Sequence, residues 1–127
     1  MDRCILAYDL GTGGNKASLY EPDGTCLAET FVPYQTHYPQ PGRHEQRPDD
    51  WWQAVVESTG KLLASVDVSG TDVATIGISG HSLGVVPLDT GGKLLLDSTP
   101  IWSDSRPRTR SSRAFRRSRR RPVAPPT

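Results

Sequence analysis

The sequence predicts an α/β fold with a mixed sheet, and three observations support this class. Strand-like stretches joined by short turns occupy residues 3–34. An amphipathic helical pattern follows in residues 52–66, and another strand-like stretch lies after it at residues 73–79. Because a strand-helix-strand step favours parallel addition to a sheet, we expect antiparallel and parallel pairs together. The expected unit is an N-terminal β-meander, one main helix and a parallel strand.

The first three strands are predicted from apolar runs between turn residues. Residues 3–10 form a short apolar run with one carboxylate near its end, which is typical of a buried strand. The glycine-rich residues 11–14 permit a tight turn, and the alternation in residues 16–20 indicates the returning strand. Pro-Asp-Gly at residues 22–24 favours a second turn, since Pro presets φ and Gly tolerates positive φ. Residues 25–34 are then expected to form the third strand.

The helix is predicted to follow a loop at residues 35–48, which is rich in Pro, Gly, His and Gln. Asp49 and Asp50 stand where the helix macrodipole favours negative charge. Beyond the helix, we expect a hairpin over residues 84–96 with its turn at residues 89–92. Helical spacing predicts that one face of the helix packs on the sheet, and its members are Trp52, Val55, Val56, Thr59, Leu62, Leu63 and Val66.

Length and composition are those of one small domain. The chain has 127 residues, of which 35% are hydrophobic and 23% charged, and a domain usually has about 100–200 residues. No apolar run approaches the ~20 residues that cross a bilayer, and the first residues lack the pattern of a secretion signal. Cys4 and Cys26 lie in strand-like stretches without metal-ligand spacing, so we expect reduced, structural thiols. A cytoplasmic protein without a membrane segment is therefore expected.

A site for phosphate and Mg²⁺ is predicted at residues 9–16, where a strand ends in a carboxylate and the chain turns through glycines. Small residues let successive backbone N–H groups approach phosphate oxygens, and a hydroxyl and an ammonium group lie nearby. Asp9 suits Mg²⁺, which is often held by one or two carboxylates. The loop joins two strands, unlike Walker and dinucleotide-binding loops, and the alternative is a hairpin turn capped by an aspartate. The candidate phosphate ligands are Gly11, Thr12, Gly13, Gly14 and Lys16.

Three stretches, in this order, resemble the FGGY family of carbohydrate kinases, especially its xylulokinase-like members. The loop at residues 9–16 resembles the first phosphate motif of the actin, sugar kinase and heat-shock ATPase superfamily. Residues 44–52, His-Glu-Gln-Arg-Pro-Asp-Asp-Trp-Trp, are similar to the family's run into its first helix. Residues 77–81 and 99–106 are similar to its sugar-facing strand end and its W-x-D-x-R segment. The resemblance runs from residue 4 to about residue 106 and implies a partial ribonuclease H-like, actin-type ATPase fold.

The resemblance implies ATP and Mg²⁺ as cofactors and a hydroxyl of a sugar or sugar alcohol as the phosphoryl acceptor. Asp9 would act through Mg²⁺, Thr12 to Gly14 would face the nucleotide phosphates, and Lys16 stands where relatives place Lys or Arg. Trp51 and Trp52 are interpreted as helix packing, and Glu45 and Gln46 as a tether for the loop. The candidate substrate ligands are His81, Ser82, Leu83, Trp102 and Asp104.

The candidate substrate ligands leave the sugar unidentified. His81-Ser82-Leu83 differs from the Gln-Met-His of xylulokinases and from the Gln-Arg-Glu of glycerol kinases. The alternative for His81 is a side chain tied to a nearby backbone carbonyl. Trp102 could stack on an apolar sugar face and Asp104 could accept hydroxyl hydrogen bonds, whereas core filling and loop capping are their structural alternatives.

No general base is expected in this chain. In the resembled family the base is an aspartate more than a hundred residues beyond residue 127, and the adenosine site lies largely in a second domain. A base has to come within about 2.6–3.2 Å of its proton. The resemblance therefore implies a kinase half-site that is inactive alone.

The last 22 residues differ from the rest in charge. Residues 1–105 carry six Lys or Arg against fourteen Asp or Glu, a net charge of −8, whereas residues 106–127 carry nine Arg and no acid. We interpret residues 1–105 as a partial N-terminal kinase domain and residues 106–127 as a disordered Arg/Pro-rich tail from a frameshift or truncation. The alternative is a noncatalytic binding protein with a degenerate kinase fold and a basic nucleic-acid-binding arm. The favoured interpretation includes no nucleic-acid partner, and the gene sequence around codon 106 would distinguish the two.

Overall fold

A four-stranded sheet with one helix packed on it forms most of the structure. The computed structural model describes residues 3–106, so all but the first residue of the tail predicted at residues 106–127 lies outside the described residues. A short 3₁₀ turn at Gly70–Asp72 precedes the fifth strand. The strands and the helix are β1 (Cys4–Leu10), β2 (Gly14–Tyr20), β3 (Cys26–Pro33), β4 (Glu45–Gln46), α1 (Pro48–Ser65), β5 (Val73–Gly80) and β6 (Thr99–Pro100).

The main sheet has the strand order β3-β2-β1-β5. The pairs β1/β2 and β2/β3 are antiparallel, and the pair β1/β5 is parallel. The expected meander and parallel strand are therefore confirmed. The register sets Asp9 opposite Lys16 on β2 and beside Ser79 on β5. A second sheet consists of β4 and β6, whose pairing brings residues 45–46 next to residues 99–100.

The helix α1 begins with Pro48 in its first turn, followed by Asp49 and Asp50. Proline suits this position because the first N–H groups of a helix have no intrahelical partner. Its fully buried residues are Ala54, Ser58 and Leu62. Within residues 3–106, no helix is long and apolar enough to span a membrane.

The predicted packing face of α1 is wrong at two positions. The side chains of Trp52 and Val56 are 65% and 50% exposed. The helix is rotated so that its small residues meet β2, where the wholly buried Asn15 donates from Nδ2 to Ser58 Oγ over 2.9 Å. The helix therefore meets the sheet through the small residues Ala54 and Ser58, which are buried at this contact.

The buried core lies between α1 and the face of the sheet formed by alternate residues of β1 and β2. Cys4, Leu6 and Tyr8 point into it from β1, and Ala17 and Leu19 from β2. A smaller cluster of Val32, Tyr34 and Ala54 lies at the far end of the helix contact. This second cluster supports the loop between β1 and β2 from behind.

The hairpin predicted for residues 84–96 is present only as a turn. Asp89 Oδ1 accepts hydrogen bonds from the N–H groups of Gly91 and Lys93, both over 2.9 Å. One isolated bridge joins Leu88 and Leu94, and no strand forms on either side. Pro87 lacks an N–H group and cannot donate to a ladder. In the described part of the chain neither arm joins a sheet, so the prediction of two strands was wrong.

Candidate functional site

The loop between β1 and β2 is closed by a hydrogen bond from the Gly11 N–H to the Gly14 carbonyl oxygen, 3.0 Å long. Asp9 and Lys16 stand opposite each other at the mouth of this hairpin, and both are exposed. Lys16 Nζ lies 3.3 Å from Glu29 Oε2 on β3. Exposed ion pairs contribute only about 0–1 kcal/mol, so this contact leaves the ammonium group available to an anion.

Gly13 and Gly14 differ in the space that surrounds them. A Cβ atom at Gly14 would lie 2.5 Å from Phe31 Cζ and 2.6 Å from the Val32 oxygen, so β3 packs too closely for any side chain. A Cβ atom at Gly13 would meet no atom within 4 Å. The sheet therefore requires glycine at Gly14, whereas the space above Gly13 is open to a ligand.

Three carbonyl groups of the loop point toward the protein. The Tyr34 hydroxyl donates to the Gly11 oxygen, and Gln46 Nε2 donates to the Thr12 oxygen over 2.6 Å. The backbone N–H of Tyr34 donates to the Gly13 oxygen over 3.3 Å. Each carbonyl of the turn thus has a donor behind it.

Tyr34 lies in the second buried cluster, close to the carboxylate of Asp9. Burial, followed by the negative charge of Asp9, raises the pKa of Tyr34 to about 12. The phenol therefore keeps its proton at neutral pH and remains a donor. The sequence alone does not indicate Tyr34, because a tyrosine directly after a strand carries no signal of this role.

Gln46 makes the tether that the sequence predicts. The side chain is wholly buried and also donates to Thr36 Oγ1 over 2.8 Å. Its Oε1 atom accepts from Trp51 Nε1 over 2.9 Å. The first turn of α1 and the loop are therefore joined through one amide.

His81 has the contact expected from its structural alternative. Its backbone N–H donates to the Leu10 oxygen over 3.0 Å, and its ring Nδ1 lies 3.1 Å from the same atom. The ring also meets Trp51 edge-on at 5.2 Å. In the tautomer whose Nδ1–H donates to the Leu10 oxygen, Nε2 of the ring is an acceptor. Ser82 and Leu83 are exposed, and Leu83 has a left-handed backbone with φ 68°.

The stretch after β5 borders a cavity of about 290 Å³. Trp51 forms part of its wall beside the ring of His81. The three candidate substrate ligands of this stretch therefore face one common space. They are His81, Ser82 and Leu83.

Trp102 is connected directly to the loop. Its Nε1 donates to Thr12 Oγ1 over 2.8 Å, and 55% of the residue remains exposed. Because more than half of the residue is exposed, Trp102 does not fill the core. A candidate substrate ligand and a candidate phosphate ligand thus share a hydrogen bond.

Asp104 is occupied by the protein itself. Its carboxylate accepts from the His44 N–H over 2.8 Å and from Arg106 Nε and Nη2 over 2.7 and 2.6 Å. The Arg106 guanidinium holds the pKa of Asp104 well below its usual range. Arg106 Nη2 also bonds Glu45 Oε1 over 2.6 Å. These contacts support the capping alternative for Asp104.

The structure brings together the three stretches that resemble kinase motifs, namely residues 9–16, residues 44–52, and residues 77–81 with 99–106. Thr12 of the loop contacts Gln46 and Trp102, one from each of the other two stretches. Within residues 3–106 no group of three His, Cys, Asp or Glu residues is placed to hold a metal ion. Asp9 is the one acidic residue in residues 9–16, and one carboxylate is sufficient for a Mg²⁺ ion that keeps several waters and binds substrate phosphates.

Comparison with known proteins identifies similar sequences. Residues 4–119 match the sequence model of the FGGY family of carbohydrate kinases, N-terminal domain. A xylulose kinase of Bacillus subtilis (strain 168) is 32% identical over 102 residues, which are 80% of this chain and 20% of that protein. A glycerol kinase of Trichormus variabilis is 30% identical with the same coverage. The chain spans about a fifth of the length of the curated relatives that it matches.

Solved structures give the same result for the fold. A xylulose kinase from Brucella ovis superposes with a TM-score of 0.77 and 29% identity, over 82% of this chain and 22% of that one. A xylulose kinase from Rhodospirillum rubrum gives a TM-score of 0.73 and 26% identity, over 91% and 23%. These neighbours confirm the expected partial ribonuclease H-like, actin-type ATPase fold.

Proposed function

Because this chain belongs to the FGGY family of carbohydrate kinases through the N-terminal domain of that family, we propose that it supplies the phosphate-binding half of an ATP-dependent kinase. The acceptor is a hydroxyl of a sugar or sugar alcohol, a class suggested by the xylulose and glycerol kinases among its relatives. The protein would act in the cytoplasm. The observation that carries the proposal is the open glycine loop, with its carbonyl groups held from behind and Thr12 bonded to Trp102.

The residues of the loop fit a triphosphate with Mg²⁺. The open position at Gly13 and the exposed Lys16 offer backbone and ammonium donors to phosphate oxygens. Asp9 is exposed beside them and would hold Mg²⁺, which when bound offsets the negative charge of the phosphates. No other acidic side chain of residues 9–16 competes for this role.

The chain's own residues bind and orient rather than exchange protons. Thr12 and Gly13 receive the phosphates, Lys16 adds positive charge, and the exposed ring of Trp102 offers an apolar surface for a sugar. Phosphoryl transfer depends mainly on such positioning and charge stabilisation. The base that accepts the hydroxyl proton is not assigned to any residue of this chain, so catalysis needs the remaining part of the kinase.

A chimera tests the proposed function. Residues 4–106 would replace the matching fifth of the Bacillus subtilis xylulose kinase, and the rest of that kinase would be kept. We expect ADP formation by the chimera that depends on one member of a panel of sugars and sugar alcohols, including xylulose and glycerol, and no sugar phosphate from the purified 127-residue chain. A chimera that folds like the parent kinase but has no activity would contradict the proposal, and so would kinase activity of the chain alone.

A further inference from the structure

We propose that Gln46 and Tyr34 are positioning residues that turn the backbone N–H groups of Thr12 and Gly13 outward to receive a phosphate anion. This inference deepens the proposed function and rests on it for the identity of the anion. Neither side chain reaches the open side of the loop. Both act through the carbonyl groups on its rear side.

The geometry of the peptide bond connects the rear of the loop to its front. In a trans peptide the carbonyl oxygen and the following N–H lie in one plane and point in opposite directions. The described residues contain no cis peptide. The Gly11 oxygen therefore fixes the direction of the Thr12 N–H, and the Thr12 oxygen fixes that of the Gly13 N–H.

Both of these carbonyl groups are held by buried side chains. Gln46 is wholly buried and Tyr34 is 9% exposed. The Tyr34 hydroxyl bonds the Gly11 oxygen, and Gln46 Nε2 lies 2.6 Å from the Thr12 oxygen. Because the two anchors sit in packed surroundings, the loop cannot turn its carbonyl groups forward without breaking both bonds.

The orientation of the Gln46 amide is determined by its neighbours. Its oxygen accepts from Trp51 Nε1, which is a donor only, and its nitrogen faces the Thr12 oxygen, which is an acceptor only. A flipped amide would place two donors together and two acceptors together. Only a glutamine, with one donor end and one acceptor end, satisfies both partners.

The N–H groups on the front of the loop are unused by the protein. Among residues 3–106, no acceptor receives a hydrogen bond from the N–H of Thr12 or Gly13. The space above Gly13 contains no atom within 4 Å of an added Cβ. Two adjacent, outward-facing amide donors form a concave anion site of the kind that binds phosphate.

The test uses the full ¹⁵N-labelled chain at low protein concentration, with inorganic tripolyphosphate and Mg²⁺ as the probe. The variants are Gln46→Glu, which keeps the acceptor for Trp51 but removes the donor to Thr12, and Tyr34→Phe. Gln53→Glu and Tyr38→Phe make the same changes at exposed positions and serve as controls. Circular dichroism reports whether each variant folds.

Without the probe, we expect the Thr12 and Gly13 amides to be rigid in the wild type and in the controls and mobile on the nanosecond timescale in both variants. With the probe, we expect about tenfold weaker binding by the variants, the effect of one lost hydrogen bond. If Gln46→Glu does not fold, Tyr34→Phe decides the result.

Two outcomes separate this inference from the proposed function. Folded variants with rigid loop amides and wild-type affinity for tripolyphosphate would overturn the positioning role. If no protein responds to tripolyphosphate, the phosphate-binding function fails, and the probe-free mobility of the amides still decides whether Gln46 and Tyr34 position the loop.

Discussion

At the scale of single residues, Thr12 is the point where three stretches of the sequence meet. Gln46 donates to its carbonyl oxygen over 2.6 Å, and Trp102 donates to its hydroxyl over 2.8 Å. These donors lie 34 and 90 residues further along the chain. The loop is therefore shaped by tertiary contacts as much as by its own glycines.

The network around Asp104 predicts a loss of stability in acid. Hydrogen bonds from Arg106 lower the pKa of Asp104 in the folded protein below the value of about 3.9 in an unfolded chain. As the pH falls, the unfolded state binds this proton first, so the contribution to stability is complete above about pH 4 and is lost below it. We expect the Tm to decrease as the pH drops below this value, and to decrease less in Asp104→Asn than in the wild type. Asp97→Asn, at an exposed position, is the control, and equal acid dependence in Asp104→Asn and wild type would exclude the effect.

At the scale of elements, α1 shows which side of a helix the sheet selects. Leu62 is 1% exposed in the main core, whereas Val56 is 50% exposed. The apolar spacing alone includes both residues. Contact with Asn15 of β2 selects the side that carries Ala54 and Ser58.

This orientation gives a stability prediction for the helix. Leu62→Ala removes buried methyl groups and should lower the free energy of unfolding by about 2–5 kcal/mol. Val56→Ala should change it by less than about 0.5 kcal/mol, as at other exposed positions. Urea unfolding followed by circular dichroism measures both variants. Equal losses would mean that the helix packs on the face that the spacing indicates.

Local signals were sufficient for the meander, the loop and the helix, because turn residues and hydrophobic periodicity report on neighbouring residues. The rotation of α1 and the missing strands at residues 84–96 depend on which other elements are present, which periodicity does not encode. The same limit applies to the site. Asp9 and Lys16 are visible in the sequence, whereas the role of Tyr34 exists only through its contact with Gly11.

At the scale of the whole molecule, α1 covers only part of the sheet. Its main contacts are with β2 and β3, and Tyr8 of β1 reaches Thr59 of the helix by a hydrogen bond. Ile76 and Ile78 pair with Leu6 and Tyr8 and so lie on the same face of the sheet. They are 57% and 72% exposed. A cavity of about 540 Å³ lies between α1 and β5. Large exposed apolar surfaces favour association.

Because α1 leaves β5 uncovered, we expect marginal stability and self-association of the 127-residue chain. The side chain of Ile78 contributes to this because it is apolar and lies on a sheet edge. We expect Ile78→Thr to reduce association in sedimentation velocity while leaving the Tm within a few degrees of wild type. A wild-type chain that is monomeric and melts cooperatively would show instead that the chain is a domain in its own right.

The loop after β1 is proposed to carry the phosphate chemistry of a kinase, and substitution of Asp9 is the most direct test. In the chimera with the xylulose kinase, kcat would be measured at saturating ATP, Mg²⁺ and the panel member that gives the highest activity. The variants are Asp9→Asn and Asp23→Asn, which makes an equal change of charge in the exposed turn before β3. We expect Asp9→Asn to lower kcat by about 10²–10³-fold, the usual effect of removing one group that stabilises transition-state charge. The kcat of the Asp23→Asn chimera should equal that of the unsubstituted chimera. Near-normal turnover of a folded Asp9→Asn chimera would contradict the account and leave Asp9 as the cap of an ordinary hairpin.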